Sequence, residues 1–353
     1  MKTPKIEIEK LEKSRIAITG EIDTETFMSF KEKALDNFTD AVELPGFRKG
    51  KAPRDLVLKH IGDRALLEEM AELALAEVYP EIIKEEKIDA IGRPEITLTK
   101  IALDNPLGFK ITTAVVPEIT LPDYKKIAKE KNKDSKEVSI TDEELEEGIL
   151  KLRKYRAHEA LHAEGHSHDN HEHGDALEEK NLPPLDDEYV KSLGKFENVD
   201  DFKSKFKDQL LDEKKWQEKE KIRIAILEKV LEDMKVEVPD ILVSFEENKI
   251  IEKLESDIAN MGLDWNDYLK RIGKTEDDIR KEFHDDAEKR AKLSLAIEKI
   301  GKEEKIAPTE EEIENNVKDL MSKYEGVDPL RARLYVEEVL RNQKVLEFLE
   351  NLN

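Results

Sequence analysis

The sequence predicts an α+β domain at the N-terminus, followed by an extended all-α region that carries helical arms. Alternating apolar and polar residues are concentrated before residue 115, whereas apolar residues beyond residue 185 recur at helical spacing. Charged residues make up 41% of the 353 residues and aromatic residues only 6%. This composition is typical of long solvated helices with narrow apolar stripes, so it favours helical packing over a thick α/β core.

The first 115 residues carry the signals of a small sheet and its covering helices. KIEIEK (5–10) and SRIAITGEI (14–22) alternate as half-buried strands do, and they predict a hairpin. A helical pattern follows Asp23 or Thr24, either of which can cap its backbone N–H groups. Two further helices are predicted, over 53–61 and 63–87, with Pro53 in a first turn. RPEITLTKIAL and LGFKITTAVV complete the sheet, so we assign 1–115 to one α+β domain.

The next segments connect this domain to the helical region. Residues 116–140 carry prolines and a charged run without clear periodicity, which indicates a linker. Thr141 and Glu144 form the sequence pattern of a capping box, and we predict a helix over 141–160.

From residue 183 to residue 353 we predict a helical C-terminal domain with at least six helices. Its apolar residues recur every fourth position in several stripes, and those stripes are Phe202, Phe206 and Leu210; Ile222, Ile226 and Val230; Ile250, Leu254 and Ile258. Capping boxes at Thr275 and Thr309 mark helix starts, as does Asp328 followed by Pro329.

A histidine-rich acidic segment, residues 158–182, lies between these parts. It holds His158, His162, His166, His168, His171 and His173. Neutral imidazoles among carboxylates can bind zinc, nickel or copper. A solvated connector explains the same composition and is favoured, because little in the segment can pack around a metal and hold its ligands still. We therefore assign no metal site.

Composition also restricts the classes of function. The formal net charge of −23 argues against general affinity for DNA or an anionic membrane. With no cysteine there is no thiolate nucleophile or disulfide framework. The N-terminus lacks an apolar signal segment and no run approaches a membrane span, so we expect a cytoplasmic protein. No nucleophile, acid/base pair or phosphate loop stands out, so we expect no enzyme and no cofactor.

One short stretch departs from the acidic character of the chain. In GFRKGKAP, Gly46 and Gly50 flank Phe47, Arg48 and Lys49, and Pro53 precedes a predicted helix. Two glycines permit a turn closed to other residues, so the three side chains would project from a loop tip. Cations there can bind phosphates or carboxylates, and the phenylalanine can anchor in a pocket. The alternative is that Phe47 is a core residue beside ordinary solvated lysines.

The stretch GFRKGKAPRDLV resembles the signature loop of bacterial trigger factors. ALAEVYPEIIKEEKIDAIGRPEITL is similar to the rest of that family's N-terminal domain. LPPLDDEYVKSLGKFENVDDFKSKFKDQL, VEVPDILVSFEENKII and IAPTEEEIENNVKDLMSKY are similar to its helical C-terminal domain. The resemblance covers most of the chain, in the family's order.

This resemblance implies an ATP-independent chaperone at the ribosomal exit tunnel. Phe47, Arg48 and Lys49 would bind a large-subunit ribosomal protein and rRNA, with Gly46, Gly50 and Pro53 shaping the loop. The 1–115 domain would be the ribosome-binding domain, and the helical arms would hold unfolded nascent chains. A weak homodimer away from the ribosome stays open.

The family usually carries an FKBP-like peptidyl-prolyl isomerase domain before the C-terminal helices. The histidine-rich segment stands in its place and is far shorter than the ~50 residues of a small domain, so we predict that the isomerase domain is absent. Retained isomerase activity, a metal-binding holdase, an envelope chaperone and an acidic coiled-coil adaptor are the alternatives.

Overall fold

The structure of the protein, a computed structural model, describes residues 4–163, 182–324 and 326–352. The predicted class, an α+β N-terminal part followed by an all-α region, is confirmed. Four strands form one antiparallel sheet in the order β1-β2-β4-β3. The strands are β1 (Lys5–Leu11), β2 (Arg15–Ile22), β3 (Ala90–Lys100) and β4 (Leu107–Val115).

A row of isoleucines crosses this sheet and shows where its core lies. Ile8 pairs with Ile18, Ile18 with Ile111, and Ile111 with Ile96. The two central side chains are fully buried, whereas those on the edge strands are about half exposed. Three helices cover the centre of this face: α1 (Thr24–Ser29), α2 (Lys31–Ala41) and α3 (Arg54–Glu85).

The helix boundaries of this domain follow from local chemistry. The Asp23 carboxylate accepts the N–H of Thr26 at 2.9 Å and caps α1, as predicted. α3 is interrupted at Gly62, whose φ of 78° and ψ of 162° separate two helical segments near the predicted 53–61 and 63–87. Pro53 differs from prediction: it is the extended residue before α3, and the helix begins at Arg54. Its carbonyl accepts the N–H groups of Leu56 and Val57 in the first turn of the helix.

The predicted linker contains a helix, α4 (Tyr124–Lys133). Tyr124 and Ala128 are its buried residues and lie one turn apart, too few to stand out as periodicity in a run of lysines. The Tyr124 hydroxyl donates to Glu304 Oε1 at 2.6 Å. Burial, together with the two carboxylates Glu304 and Glu303, raises the pKa of Tyr124.

The remaining elements are helices. They are α5 (Asp142–Ala163), α6 (Asp187–Leu193), α7 (Val199–Asp233), α8 (Asp240–Asn260), α9 (Trp265–Ile272), α10 (Glu276–Glu304), α11 (Glu310–Lys323) and α12 (Pro329–Glu350). The predicted minimum of six helices beyond residue 185 is confirmed, and so are the capping boxes at Thr141, Thr275 and Thr309. In the part of the chain that the structure describes, no helix combines the length and apolarity needed to cross a bilayer.

Residue contacts divide the chain into two compact units. The first contains Met1–Leu121 and Asp233–Lys299, and the second contains Pro122–Glu232 and Ile300–Asn353. Within the first, the β1–β2 turn contacts the start of α8 and the segment before it. Ser14 Oγ donates to the carbonyl of Glu237 at 2.8 Å, and Lys13 Nζ lies 2.7 Å from Asp240 Oδ1 in the first turn of α8. Within the second, Leu145 and Ile149 of α5 pack in one cluster with Phe202 of α7.

Candidate functional site

The basic loop, residues 43–53, consists of two consecutive turns between α2 and α3. The N–H of Phe47 donates to the carbonyl of Leu44 at 3.0 Å, and the N–H of Lys51 donates to that of Arg48 at 2.9 Å. Gly46 and Gly50 occupy the third position of each turn, with φ of 88° and 78°. A positive φ at this position is the mark of a type II turn and strongly favours glycine. Both glycines thus adopt a conformation that other residues rarely take.

The three side chains between the glycines are all exposed. Phe47 leaves 41% of its surface open to solvent, so the alternative of a core phenylalanine is wrong. Arg48 and Lys49 are exposed beside it, and among the described residues neither forms an ion pair with a carboxylate. The loop therefore presents one aromatic ring and two cations at consecutive positions.

The base of the loop is attached to the helices on either side. Ala52 and Val57 are buried. Arg54, the first residue of α3, forms ion pairs with both Glu32 and Asp36 of α2. A side chain at position 50 would begin only 3.3 Å from Asp40 Oδ1, so the second turn also lies close to α2. Sequence reasoning gave Arg54 no role, because no local pattern identifies Glu32 and Asp36 as its partners.

The histidine-rich segment forms no metal site within the residues that the structure describes. His158 lies on the last turns of α5, and the backbone of His162 follows one turn later. The structure does not describe residues 164–181, so the calls on His166, His168, His171 and His173 lie outside the described residues. Within the described residues no group of three potential metal ligands occurs. Metal binding by this segment stays an untested hypothesis.

A second candidate surface lies on α11 and α12, and we call it the tyrosine–leucine face. Its members are large apolar or aromatic side chains that are 44–66% exposed: Tyr324, Leu330, Leu334, Tyr335 and Val339. A groove of about 340 Å³ runs between the two helices, lined by three of these residues and by Val336 and Leu340. Sequence reasoning predicted where these two helices begin but not which of their apolar residues stay exposed.

Two ion pairs link the two helices of this face. Glu310 of α11 pairs with Arg333 of α12 at 2.6 Å, and Glu312 pairs with Lys344 at 2.8 Å. The ammonium of Lys344 and the N–H and hydroxyl of Thr309 lower the pKa of Glu312 to about 2. The Glu312 carboxylate therefore keeps its charge and its pair with Lys344 to a lower pH than an ordinary glutamate would.

Comparisons with known proteins point to one family. The profile described as "Bacterial trigger factor protein (TF)" matches residues 4–152, and the profile of the trigger factor C-terminus matches residues 198–351. The trigger factor of Anoxybacillus flavithermus is 27% identical over 97% of both chains. That of Caldanaerobacter subterraneus is 28% identical over 90% of this chain and 89% of its own.

A solved structure supports the fold. It belongs to a study of promiscuous substrate recognition in the folding and assembly activities of the trigger factor chaperone. Its TM-score is 0.55 at 20% identity, and the alignment covers 99% of this chain and 100% of that chain. Because the two profiles together match most of the described residues, the chain belongs to the bacterial trigger factor family.

Proposed function

We propose that this trigger factor family member is an ATP-independent chaperone that binds the large ribosomal subunit beside the exit tunnel through Phe47, Arg48 and Lys49. The observation that carries the proposal is the basic loop, whose two turns present these three side chains to solvent. The loop binds a ribosomal protein and rRNA and brings the rest of the chain near emerging polypeptides.

Electrostatics favours a contact confined to this loop. With a formal net charge of −23, the chain as a whole is repelled by polyanionic rRNA. Cations at a projecting tip can bind phosphates directly, while most of the acidic side chains stay farther from the rRNA. Salt largely screens the repulsion between exposed charges that lie more than about 10 Å apart. Phe47 adds an apolar anchor that is insensitive to salt.

The tyrosine–leucine face is the surface we propose for nascent chains. Leu330 and Leu334 lie one turn apart on α12 and are among the most exposed apolar side chains of the described residues. Dispersed apolar contacts in an open groove bind weakly at each point and discriminate little between sequences. Such contacts suit a chaperone that holds many unfolded chains and releases them without a cofactor.

Three further features belong to the proposal. The chain works in the cytoplasm, it has no prolyl isomerase activity, and it forms at most a weak homodimer away from the ribosome. The segment between the two profile matches, residues 153–197, is too short for the family's isomerase domain. A prolyl-peptide turnover assay tests the second feature, because catalysis above the uncatalysed rate would contradict it.

Co-sedimentation with purified bacterial 70S ribosomes over a salt series tests docking. The parent chain is compared with Phe47→Ala/Arg48→Ala/Lys49→Ala. A matched control, Met261→Ala/Lys270→Ala/Arg271→Ala, also removes one apolar and two cationic exposed side chains. We expect the parent and the control to pellet and the loop variant to stay in solution. Equal behaviour of the parent and the loop variant would refute docking through this loop.

Suppression of aggregation of a chemically unfolded reporter protein tests holding without ribosomes. We expect Leu330→Ala/Leu334→Ala to need a severalfold higher concentration than the parent for the same suppression. Arg331→Ala/Glu338→Ala, which alters exposed polar residues of the same helix, serves as the control and is expected to match the parent. If the leucine variant is as active as the parent, the tyrosine–leucine face is not the holding surface.

A further inference from the structure

We propose that Arg54 is a positioning residue for the basic loop, which it orients for the ribosome through Glu32 and Asp36 of α2. The inference rests on the proposed docking function and adds to it a group that does not itself touch the ribosome. It explains how an exposed loop with few internal contacts can present Phe47, Arg48 and Lys49 in one direction.

The geometry places Arg54 at the one point where the loop meets its second helix. α2 ends at Ala41, the basic loop follows, and α3 begins with Arg54. One guanidinium nitrogen, Nη1, pairs with Glu32 Oε2, and the other, Nη2, pairs with Asp36 Oδ1. Glu32 and Asp36 lie one turn apart on α2, so a single side chain connects the residue after the loop to two successive turns of the helix before it.

Few other contacts can orient this segment. Each of its two turns is closed by one backbone hydrogen bond, which fixes the shape of the turn but not its direction relative to α2. Ala52 and Val57 are buried, and Leu58 and Ile61 pack against the core of the sheet domain, so these contacts fix the base and not the tip of the loop. On the far side, the non-helical backbone of Gly62 separates residues 54–61 from the long part of α3. The ion pairs of Arg54 therefore add, at the junction with the loop, a link to α2 that the backbone of the two turns does not supply.

Because the three side chains of these ion pairs are exposed, we expect the pairs to affect the orientation of the loop more than the stability of the domain. The side chains of Arg54, Glu32 and Asp36 are 48%, 69% and 55% exposed. Ion pairs this exposed contribute little to the free energy of unfolding, because water and salt screen them. They can still raise the share of molecules whose loop is oriented for binding, and the apparent affinity scales with that share.

The competing explanation is that Arg54 binds an rRNA phosphate directly. The two explanations predict opposite changes in ribosome affinity for one variant. Glu32→Gln/Asp36→Asn removes both ion pairs but keeps every cation and removes two negative charges beside the loop. If Arg54 acts as one more cation for phosphate, this variant binds ribosomes as well as the parent or better. If Arg54 orients the loop, the same variant binds more weakly.

The experiment measures the Kd of the full chain for bacterial 70S ribosomes and the thermal unfolding midpoint of each variant. For both Arg54→Ala and Glu32→Gln/Asp36→Asn we expect a Kd about three- to tenfold higher than that of the parent, as a falling oriented fraction would give. Combining all three substitutions should add little, since both variants remove the same interaction. The control Glu143→Gln/Asp319→Asn, which removes two exposed carboxylates elsewhere, should not weaken binding.

Two further measurements distinguish a change in loop orientation from a general loss of stability. The unfolding midpoint of Glu32→Gln/Asp36→Asn should stay within about 2 °C of that of the parent, as expected for exposed pairs. The salt dependence of its Kd should match that of the parent, because no cation has been removed. A large fall in the midpoint that accounts for weaker binding would overturn the inference, and so would binding equal to or tighter than that of the parent.

A parallel measurement distinguishes failure of the docking proposal from failure of the positioning role of Arg54. It uses the variant Phe47→Ala/Arg48→Ala/Lys49→Ala. If it binds like the parent, the docking function itself is wrong. If it does not bind while Glu32→Gln/Asp36→Asn binds like the parent, docking stands and the positioning role of Arg54 is refuted.

Discussion

The side-chain amide of Asn132 donates one hydrogen bond to the carbonyl of Leu349, at 2.9 Å, and a second to the carbonyl of Leu352, at 2.7 Å. Asn132 lies near the end of α4, and the two acceptors lie at the C-terminal end of α12. The last carbonyls of a helix lack the usual partner one turn further on; that of Leu349 accepts the N–H of Leu352 at 3.5 Å, and Leu352 itself lies just beyond the helix. Asn132 supplies two donors at once, so it joins the segment after residue 122 to the last helix of the same unit.

Asn132→Ala should lower the free energy of unfolding by about 1–2 kcal/mol, because the carbonyls of Leu349 and Leu352 each lose a partly buried hydrogen bond. Asn132→Asp should be worse, since a carboxylate has no N–H to offer and places negative charge against carbonyl oxygens. Urea titration followed by circular dichroism measures both. Asn316→Ala, which removes one exposed amide hydrogen bond, is the control and should have a smaller effect. Equal stability of the aspartate variant and the parent would contradict the assignment of donors.

The salt dependence of ribosome binding should separate the roles of the three loop residues. Arg48→Ala/Lys49→Ala should reduce the slope of log K against log salt by about 1–2, because fewer phosphate counterions are released. Phe47→Ala should weaken binding at every salt concentration and leave the slope unchanged, since an apolar anchor displaces no counterion. Equilibrium binding to fluorescent 70S ribosomes provides both slopes. A changed slope for Phe47→Ala would show that its ring is not an independent anchor.

A histidine of α10 that contacts α8 should make the free energy of unfolding depend on pH. His284 Nδ1 lies 2.8 Å from Glu247 Oε1, and this contact, aided by Asp285 and Glu288, raises the pKa of His284 above its usual value. Since the pKa is raised on folding, the stabilisation is complete below the unfolded value and is lost as the pH rises through the folded value.

His284→Gln should therefore lower the unfolding midpoint more at about pH 5.5 than at about pH 8. The parent is measured at each pH, so titration of the other groups cancels in the difference. Glu247→Gln should reproduce the same dependence, because it removes the other half of the pair. A deficit that grows as the pH rises would have the wrong sign and would contradict the stated cause.

The features that sequence reasoning predicted are local ones. The hairpin strands, the capping box of Thr141 and Glu144, and the break near Gly62 depend on residues within a few positions of each other. The exposed tip between Gly46 and Gly50 is also local, since a positive φ is available mainly to glycine. Each of these could be predicted because its cause lies in one short segment.

The features that it missed depend on distant partners. α4 is stabilised by the burial of Tyr124 and by its contact with Glu304, which lies far along the chain. Arg54 looks like any surface arginine until Glu32 and Asp36 are placed beside it. The exposure of Leu330 and Leu334 is decided by which side of α12 meets α11, and an apolar stripe alone does not contain that information.

Gly62 should resist substitution although space is open around it. Its φ of 78° and ψ of 162° lie in a region that is essentially restricted to glycine, and no atom lies within 4 Å of the position a Cβ would take. Gly62→Ala should therefore cost about 1–3 kcal/mol of stability from backbone strain alone.

Relief of this strain has a consequence for the loop. If residue 62 becomes helical in the variant, residues 54–61 change direction and the basic loop turns with them. Gly62→Ala should then weaken ribosome binding even at temperatures where the protein stays folded. Urea titration and ribosome co-sedimentation of the same preparation measure the two effects. A variant as stable as the parent that also binds ribosomes equally would show that neither the fold nor the direction of the basic loop requires the break at Gly62.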